Sequence, residues 1–194
     1  MAFNVLAAVG TCWMALGILW LVSAFFSKPT ERSQSIGDRA LHVVPIVLGG
    51  LLISGFLLPE SWLDSWIDSR FLPYTAAVQY FGFAITAAGV LFAAWARLTL
   101  GSNWSARATV KADHELIVRG PYSLARHPIY TGLLLALAGT VIEIDRWRCP
   151  LGFAIIVCAF ALKMRQEERL MLEAFPREYP DYRRRVKALV PYVF

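Results

Sequence analysis

Residues 3–26 read FNVLAAVGTCWMALGILWLVSAFF, a run of 24 positions without one charged side chain. A helix of about 20 apolar residues is enough to cross a hydrocarbon core of roughly 30 Å, so this stretch spans a membrane. Composition agrees. Of 194 residues, 57% are hydrophobic and only 17% charged, and mean hydropathy is +0.51, which excludes an ordinary soluble domain of this size. Working outward from the first run, four more follow: Ala40–Leu58, Tyr74–Ala96, Pro128–Ile144 and Cys149–Leu162. The last two are short and separated by Asp145-Arg146-Trp147-Arg148, which predicts a tight helical hairpin. The expected fold is therefore all-α, a polytopic integral membrane protein of about five transmembrane helices.

The first run has no basic stretch ahead of it and is longer than the 7–15 apolar residues of a signal-peptide core. It is expected to be a retained helix with its amino end outside. The positive-inside rule places lysine and arginine on the cytoplasmic side of short loops. With five spans, the inner segments 27–39, 97–127 and 163–194 carry three, five and eight basic residues, against three outside. The carboxyl end is thus expected in the cytosol. Cys12, Cys149 and Cys158 have no C-x-x-C spacing and sit in or beside apolar runs, so they read as small buried hydrophobes. Asn103-Trp104-Ser105 matches a glycosylation sequon, but the topology puts it in the cytosol.

No repeat or low-complexity segment is present, and a single domain over 1–194 is expected. Residues 1–96 would hold three spans, and 97–194 the inner loop, hairpin and tail that form its catalytic part. The outer loop Pro59–Pro73 carries Trp62 and Trp66, indoles suited to headgroup depth. Polar chemistry gathers on the other side. Pro128 suits the first position of a helix, where a missing N–H costs nothing, which makes His127 the expected N-cap. The free N–H groups of that helix start, with Arg126 beside them, would favour an anion such as a carboxylate; the bland alternative is that Arg126 reaches lipid phosphate. Glu167 and Glu168 lie just past the fifth run. Lys163 four residues before Glu167 and Arg165 three before Glu168 could satisfy them as helix ion pairs; alternatively they bind a ribose diol or an ammonium group. Leu172, Phe175, Tyr179, Tyr182 and Val186 suggest an amphipathic stretch along the inner surface. Arg183, Arg184, Arg185 and Lys187 read as a contact for anionic lipid and not for nucleic acid.

Taken together, L-G-S-N-W-S from Leu100, H-E-L-I-V-R-G-P-Y from His114, R-H-P-I-Y-T-G from Arg126, the Glu167-Glu168 pair and F-x-x-x-Y-x-x-Y from Phe175 resemble the isoprenylcysteine carboxyl methyltransferase family in its short prokaryotic form. The resemblance covers about half the chain, from Leu100 onward. R-H-P-x-Y by itself is shared with phospholipid N-methyltransferases and membrane sterol reductases; the glutamate pair adds the specificity. The resemblance implies a membrane methyltransferase that uses S-adenosylmethionine without a Rossmann domain and without a metal. Its cofactor pocket would lie at the cytoplasmic end of the last spans and be closed by the carboxyl-terminal tail. It further implies that His127, Pro128 and Tyr130 line the cofactor and that Glu167 and Glu168 hold its polar groups. His114, Leu116, Ile117, Gly120 and Tyr122 fall in the matching loop, with Leu116 and Ile117 as adenine contacts. One departure is Pro176, where the family usually has glycine.

Methyl transfer from a sulfonium needs an in-line nucleophile within about 3–3.5 Å and a site that excludes water. A carboxylate nucleophile needs no general base, only a cation to position it, for which Arg165 and Arg126 are the catalytic candidates. An amine or thiol would need a base from the glutamates or His114. The implied partner is an amphiphilic or prenylated acceptor that arrives from the lipid phase. The competing readings are a phospholipid or other amphiphile N- or S-methyltransferase, a sterol-type NADPH reductase, and a non-enzymatic membrane scaffold.

Overall fold

A computed structural model describes residues 4–26, 36–56, 58–63, 65–101 and 116–190. Among these the regular structure is helical: α1 Val5–Ala24, α2 Ile36–Ser54, α3 Glu60–Leu63, α4 Ala76–Leu100, α5 Pro128–Ile144, α6 Arg148–Ala174 and α7 Glu178–Arg185, with short 3-10 turns at Trp66–Asp68 and Gly120–Ser123. Each of the five apolar runs becomes one helix. Three of them, α1, α4 and α6, are long and apolar enough to cross a membrane by length and composition; Ala40–Ser54 of α2 and Pro128–Ile144 of α5 are shorter apolar helices. The segment holding Asn103-Trp104-Ser105 and His114 lies outside the described residues.

Local chemistry sets several helix ends. The Asn4 side chain accepts from the Ala7 N–H at 3.0 Å and opens α1, and Thr75 does the same for Val78 at 3.3 Å to open α4, each satisfying one of the donors a helix start leaves without a partner. Asp145 ends α5 in the left-handed region at φ 56°. Its carboxylate accepts from the Phe71 and Leu72 N–H groups at 3.1 and 2.6 Å and pairs with Arg70 at 3.2 Å. Beside it, Asp68 pairs with Arg148 at 2.6 Å and Arg146 at 3.5 Å. The short connector of the expected hairpin is thus also a knot of charges binding the loop before α4 to the α5–α6 turn.

The hairpin also differs from its sequence reading in how it packs. α5 lies along α4, and α6 along α2, while α5 and α6 touch each other far less; α1 packs on α4. The reason is the placement of small residues. Gly82, Thr86, Gly89 and Ala93 of α4 face Gly132, Ala136 and Gly139 of α5, and a Cβ added at Gly89 would lie 2.2 Å from the Ala136 nitrogen. Gly49 of α2 and Gly152 of α6 meet in the same manner. Within a bilayer apolar area alone does not drive helices together, and backbones that approach this closely gain packing that lipid cannot supply. Onto the first of these pairs α1 docks through Trp13, which donates to Thr140 Oγ1 of α5 at 2.9 Å. Gly89→Val is expected to force α4 from α5 and lower stability by at least about 1–3 kcal/mol, the usual scale of overpacking, read as a lower unfolding midpoint in detergent; an unchanged midpoint would contradict the seam.

Cys149 is buried as expected, but Cys158 sits on an exposed face of α6. α6 also runs 12 residues beyond Leu162, to Ala174, so Glu167 and Glu168 belong to the fifth helix itself.

Candidate active site

α5 begins where α6 is ending, and the two meet through charged side chains. His127 is the N-cap of α5, with Pro128 at the first helical position, as the sequence predicts. Its ring turns away from the helix start and lies between the two glutamates, Nδ1 at 3.6 Å from Glu167 Oε2 and Nε2 at 3.3 Å from Glu168 Oε1. The Tyr130 hydroxyl donates to Glu167 Oε1 at 2.5 Å. Tyr130 in turn stacks on His127 with ring centroids 5.7 Å apart and leans on Phe160 of α6 at 4.9 Å. The spacing of H-P-x-Y explains this arrangement: N-cap and third helical position fall on one side of the first turn, so both can face the same neighbouring helix.

The Lys163–Glu167 helix pair forms, at 3.9 Å. The Arg165–Glu168 alternative does not: Arg165 is exposed, and Glu168 is taken by residues from elsewhere. Arg126 donates to Glu168 Oε1 through Nε at 2.8 Å and Nη2 at 2.6 Å, and Arg183 of α7 comes to 3.5 Å of the other oxygen. The side chains of Arg126 and Glu168 are only 9% and 14% exposed, so this is a largely desolvated ion pair.

The tail is tied to the two residues that lead into α5. The N–H groups of Arg126 and His127 donate to the carbonyls of Lys187 and Ala188 at 2.8 and 2.9 Å. The Thr131 hydroxyl donates to the Leu189 carbonyl at 2.8 Å, and Arg126 Nη1 to the Val186 carbonyl at 2.6 Å. The tail after α7 thus forms a strap across the start of α5, and Arg126 ties that strap to Glu168. Thr131, one turn after His127, and Arg183 have roles here that motif reading did not assign; the signal for Thr131 was its place in R-H-P-I-Y-T.

Of the loop residues, Ile117 and Tyr122 are buried against Ala96, with Leu100 and Ile129 packed around them. Leu116 is half-buried. Gly120 adopts φ 59°, which favours glycine. Tyr182 of α7 donates to the Tyr122 carbonyl at 2.6 Å and so seats α7 on this turn. Burial pushes the phenols of Tyr122 and Tyr182 above their ordinary range, and the Glu167 charge adds to the effect on Tyr122, so both stay protonated donors at neutral pH.

Residues 81–173 match the family described as the isoprenylcysteine carboxyl methyltransferase family. Protein-S-isoprenylcysteine O-methyltransferase B of Arabidopsis thaliana is 29% identical over 185 residues, covering 90% of this chain and 92% of that protein. The nickel-cobalt-cadmium resistance protein NccN of Alcaligenes xylosoxydans xylosoxydans is 29% identical over 169 residues, covering 85% of this chain and 70% of NccN. The chain spans about half the length of the animal relatives it matches. Its fold is shared with the solved eukaryotic intramembrane Ras methyltransferase ICMT, at TM-score 0.52 and 21% identity over 78% of this chain and 52% of that one.

Proposed function

We propose that the chain is an integral-membrane methyltransferase acting from S-adenosylmethionine on an amphiphilic acceptor of the prenylcysteine kind, a reading supported by the match of residues 81–173 to the isoprenylcysteine carboxyl methyltransferase family and by the similarity to the Arabidopsis protein. The observation that carries this reading is the meeting of Glu167 and Glu168 with His127 and Tyr130 at the start of α5, beneath the strap. In this reading 1–194 is a single domain with 97–194 as its catalytic part, the carboxyl end lies in the cytosol and the amino end outside a prokaryotic inner membrane.

The residues present suit the cofactor. Two carboxylates, an imidazole and a phenol at one membrane mouth match a ligand with an ammonium group and a ribose diol. Bound there, S-adenosylmethionine supplies a methyl group on a sulfonium that is already its own leaving group. Glu168 is occupied by Arg126, His127 and Arg183, which makes Glu167 the readier of the two to receive a ligand group. Ile117 and Tyr122, packed together against Ala96, are the apolar surface nearest in kind to what a purine needs, with half-buried Leu116 next to Ile117 in the chain. A carboxylate acceptor, with a solution pKa of roughly 4, is ionised at neutral pH and needs orientation more than a base. Arg126 is committed to Glu168 and the strap, which leaves Arg165 as the cation to orient the acceptor.

Arg165→Ala is accordingly expected to lower turnover while cofactor affinity stays unchanged; the reverse pattern, measured by steady-state kinetics and binding, would return Arg165 to a surface role. The proposal as a whole is tested with radiolabelled methyl transfer from the purified protein to prenylcysteines, phosphatidylethanolamine and a lipid extract. Label in a prenylcysteine ester supports it, and label in phosphatidylethanolamine alone makes it a phospholipid N-methyltransferase. Thermal stabilisation by NADPH and not by S-adenosylhomocysteine would instead indicate a reductase.

A further inference from the structure

We propose that the exposed basic face of α7 binds anionic phospholipid headgroups and that this contact holds the strap closed over the start of α5. The argument begins with depth. α6 is 27 residues long, about 40 Å at 1.5 Å per residue, so it outruns a hydrocarbon core of roughly 30 Å. Its apolar run ends at Leu162, and Glu168 lies six residues on, about 9 Å further along the axis. Arg183 reaches Glu168 at 3.5 Å, which puts α7 at the level of the headgroups.

The two faces of α7 then do different work. Tyr179 and Tyr182 are buried, both 3% exposed, and fix the helix to the protein. Arg183, Arg184 and Arg185 are exposed, with Arg177 and Lys187 exposed on either side. The acids nearby are Glu178 and Asp181. Asp181 pairs with Arg184, but both side chains are largely in solvent, and such a pair is weak and readily exchanged. The remaining positive charge faces a layer in which each Lys or Arg gains appreciable attraction to anionic lipid.

Coupling to the strap is covalent and short. The strap carbonyls that receive the Arg126 and His127 N–H groups belong to Lys187 and Ala188, immediately after the helix, and Arg126 also donates to the Val186 carbonyl. Anything that anchors α7 therefore anchors the strap. The consequence for cofactor retention rests on the function proposed above; the docking itself does not.

The test uses the full chain in nanodiscs of phosphatidylcholine alone or mixed with phosphatidylglycerol, read by hydrogen exchange at the Arg126 and His127 amides. Anionic lipid is expected to slow that exchange on the order of tenfold, the scale of a few arginines near an anionic surface, and to tighten S-adenosylhomocysteine binding in parallel. The double variant Arg184→Gln, Arg185→Gln, remote from the glutamates, should lose this lipid dependence while keeping wild-type exchange in phosphatidylcholine. Equal exchange in both discs, lipid dependence that survives in the double variant, or reproduction of the effect by inorganic phosphate in phosphatidylcholine discs would each overturn the proposal. Lipid-dependent exchange without any binding of S-adenosylhomocysteine would leave this docking standing and remove the function reading instead.

Discussion

Glu168→Ala is expected to destabilise the protein by about 3–5 kcal/mol, the usual result of removing one member of a buried ion pair. The carboxylate receives two donors from Arg126 and stands within 3.5 Å of His127 and Arg183. Without it, the Arg126 guanidinium, almost closed off from solvent, keeps its charge and loses its counter-charge. The carbonyls of Arg183 and Val186 remain as acceptors but carry no net charge. The fall should appear as a lower unfolding midpoint in detergent together with faster proteolysis of the tail, since Arg126 is the link between α6 and the strap. The double change Arg126→Met, Glu168→Leu should recover part of the loss, because two apolar groups of similar size leave no charge stranded. If the double variant is as unstable as the sum of its single changes, the two residues act independently and Arg126 is not a brace.

The second large effect concerns Glu167. Glu167→Gln keeps the shape of the side chain but removes the charge that faces His127 Nδ1 at 3.6 Å and accepts from Tyr130 at 2.5 Å. A hydrogen bond to a charged group contributes about 1.5–3 kcal/mol. Affinity for S-adenosylhomocysteine, measured by titration calorimetry, should therefore drop roughly ten- to hundredfold, with expression and folding retained because Glu167 is not part of the Arg126 brace. His127→Ala should lose affinity to a comparable degree. Wild-type affinity in both variants would mean that the cofactor binds elsewhere.

Much of this architecture was legible in the chain. The five apolar runs announce themselves by length, and Pro128 announces the start of α5 by its missing N–H. The pairing of helices was not, because it depends on which small residues face one another: Gly89 and Gly132 lie in separate runs, and their close approach is a property of two backbones. The motif residues His127, Tyr130, Glu167 and Glu168 could be nominated from the family resemblance, and the structure brings them together. The tie between the tail and the residues leading into α5 could not be foreseen, since Lys187 and Ala188 take part through main-chain carbonyls, atoms that every residue possesses and that leave no trace in side-chain identity. Arg165 shows the opposite failure. Its three-residue offset from Glu168 suggested a partner, but distant Arg126 and Arg183 supplied the charge.

The interlocked backbones of α4 and α5 have a mechanical consequence. Gly82, Gly89, Gly132 and Gly139 leave no slack for one helix to slide or peel from the other, so the couple behaves as one stiff lever, and α2 with α6 as a second. The ionic knot of Asp68 and Asp145 pins the levers at one end, much as a rivet pins tweezers. Compliance is then concentrated at the opposite tips, where the Arg126–Glu168 pair, and not a seam of small residues, joins the two arms.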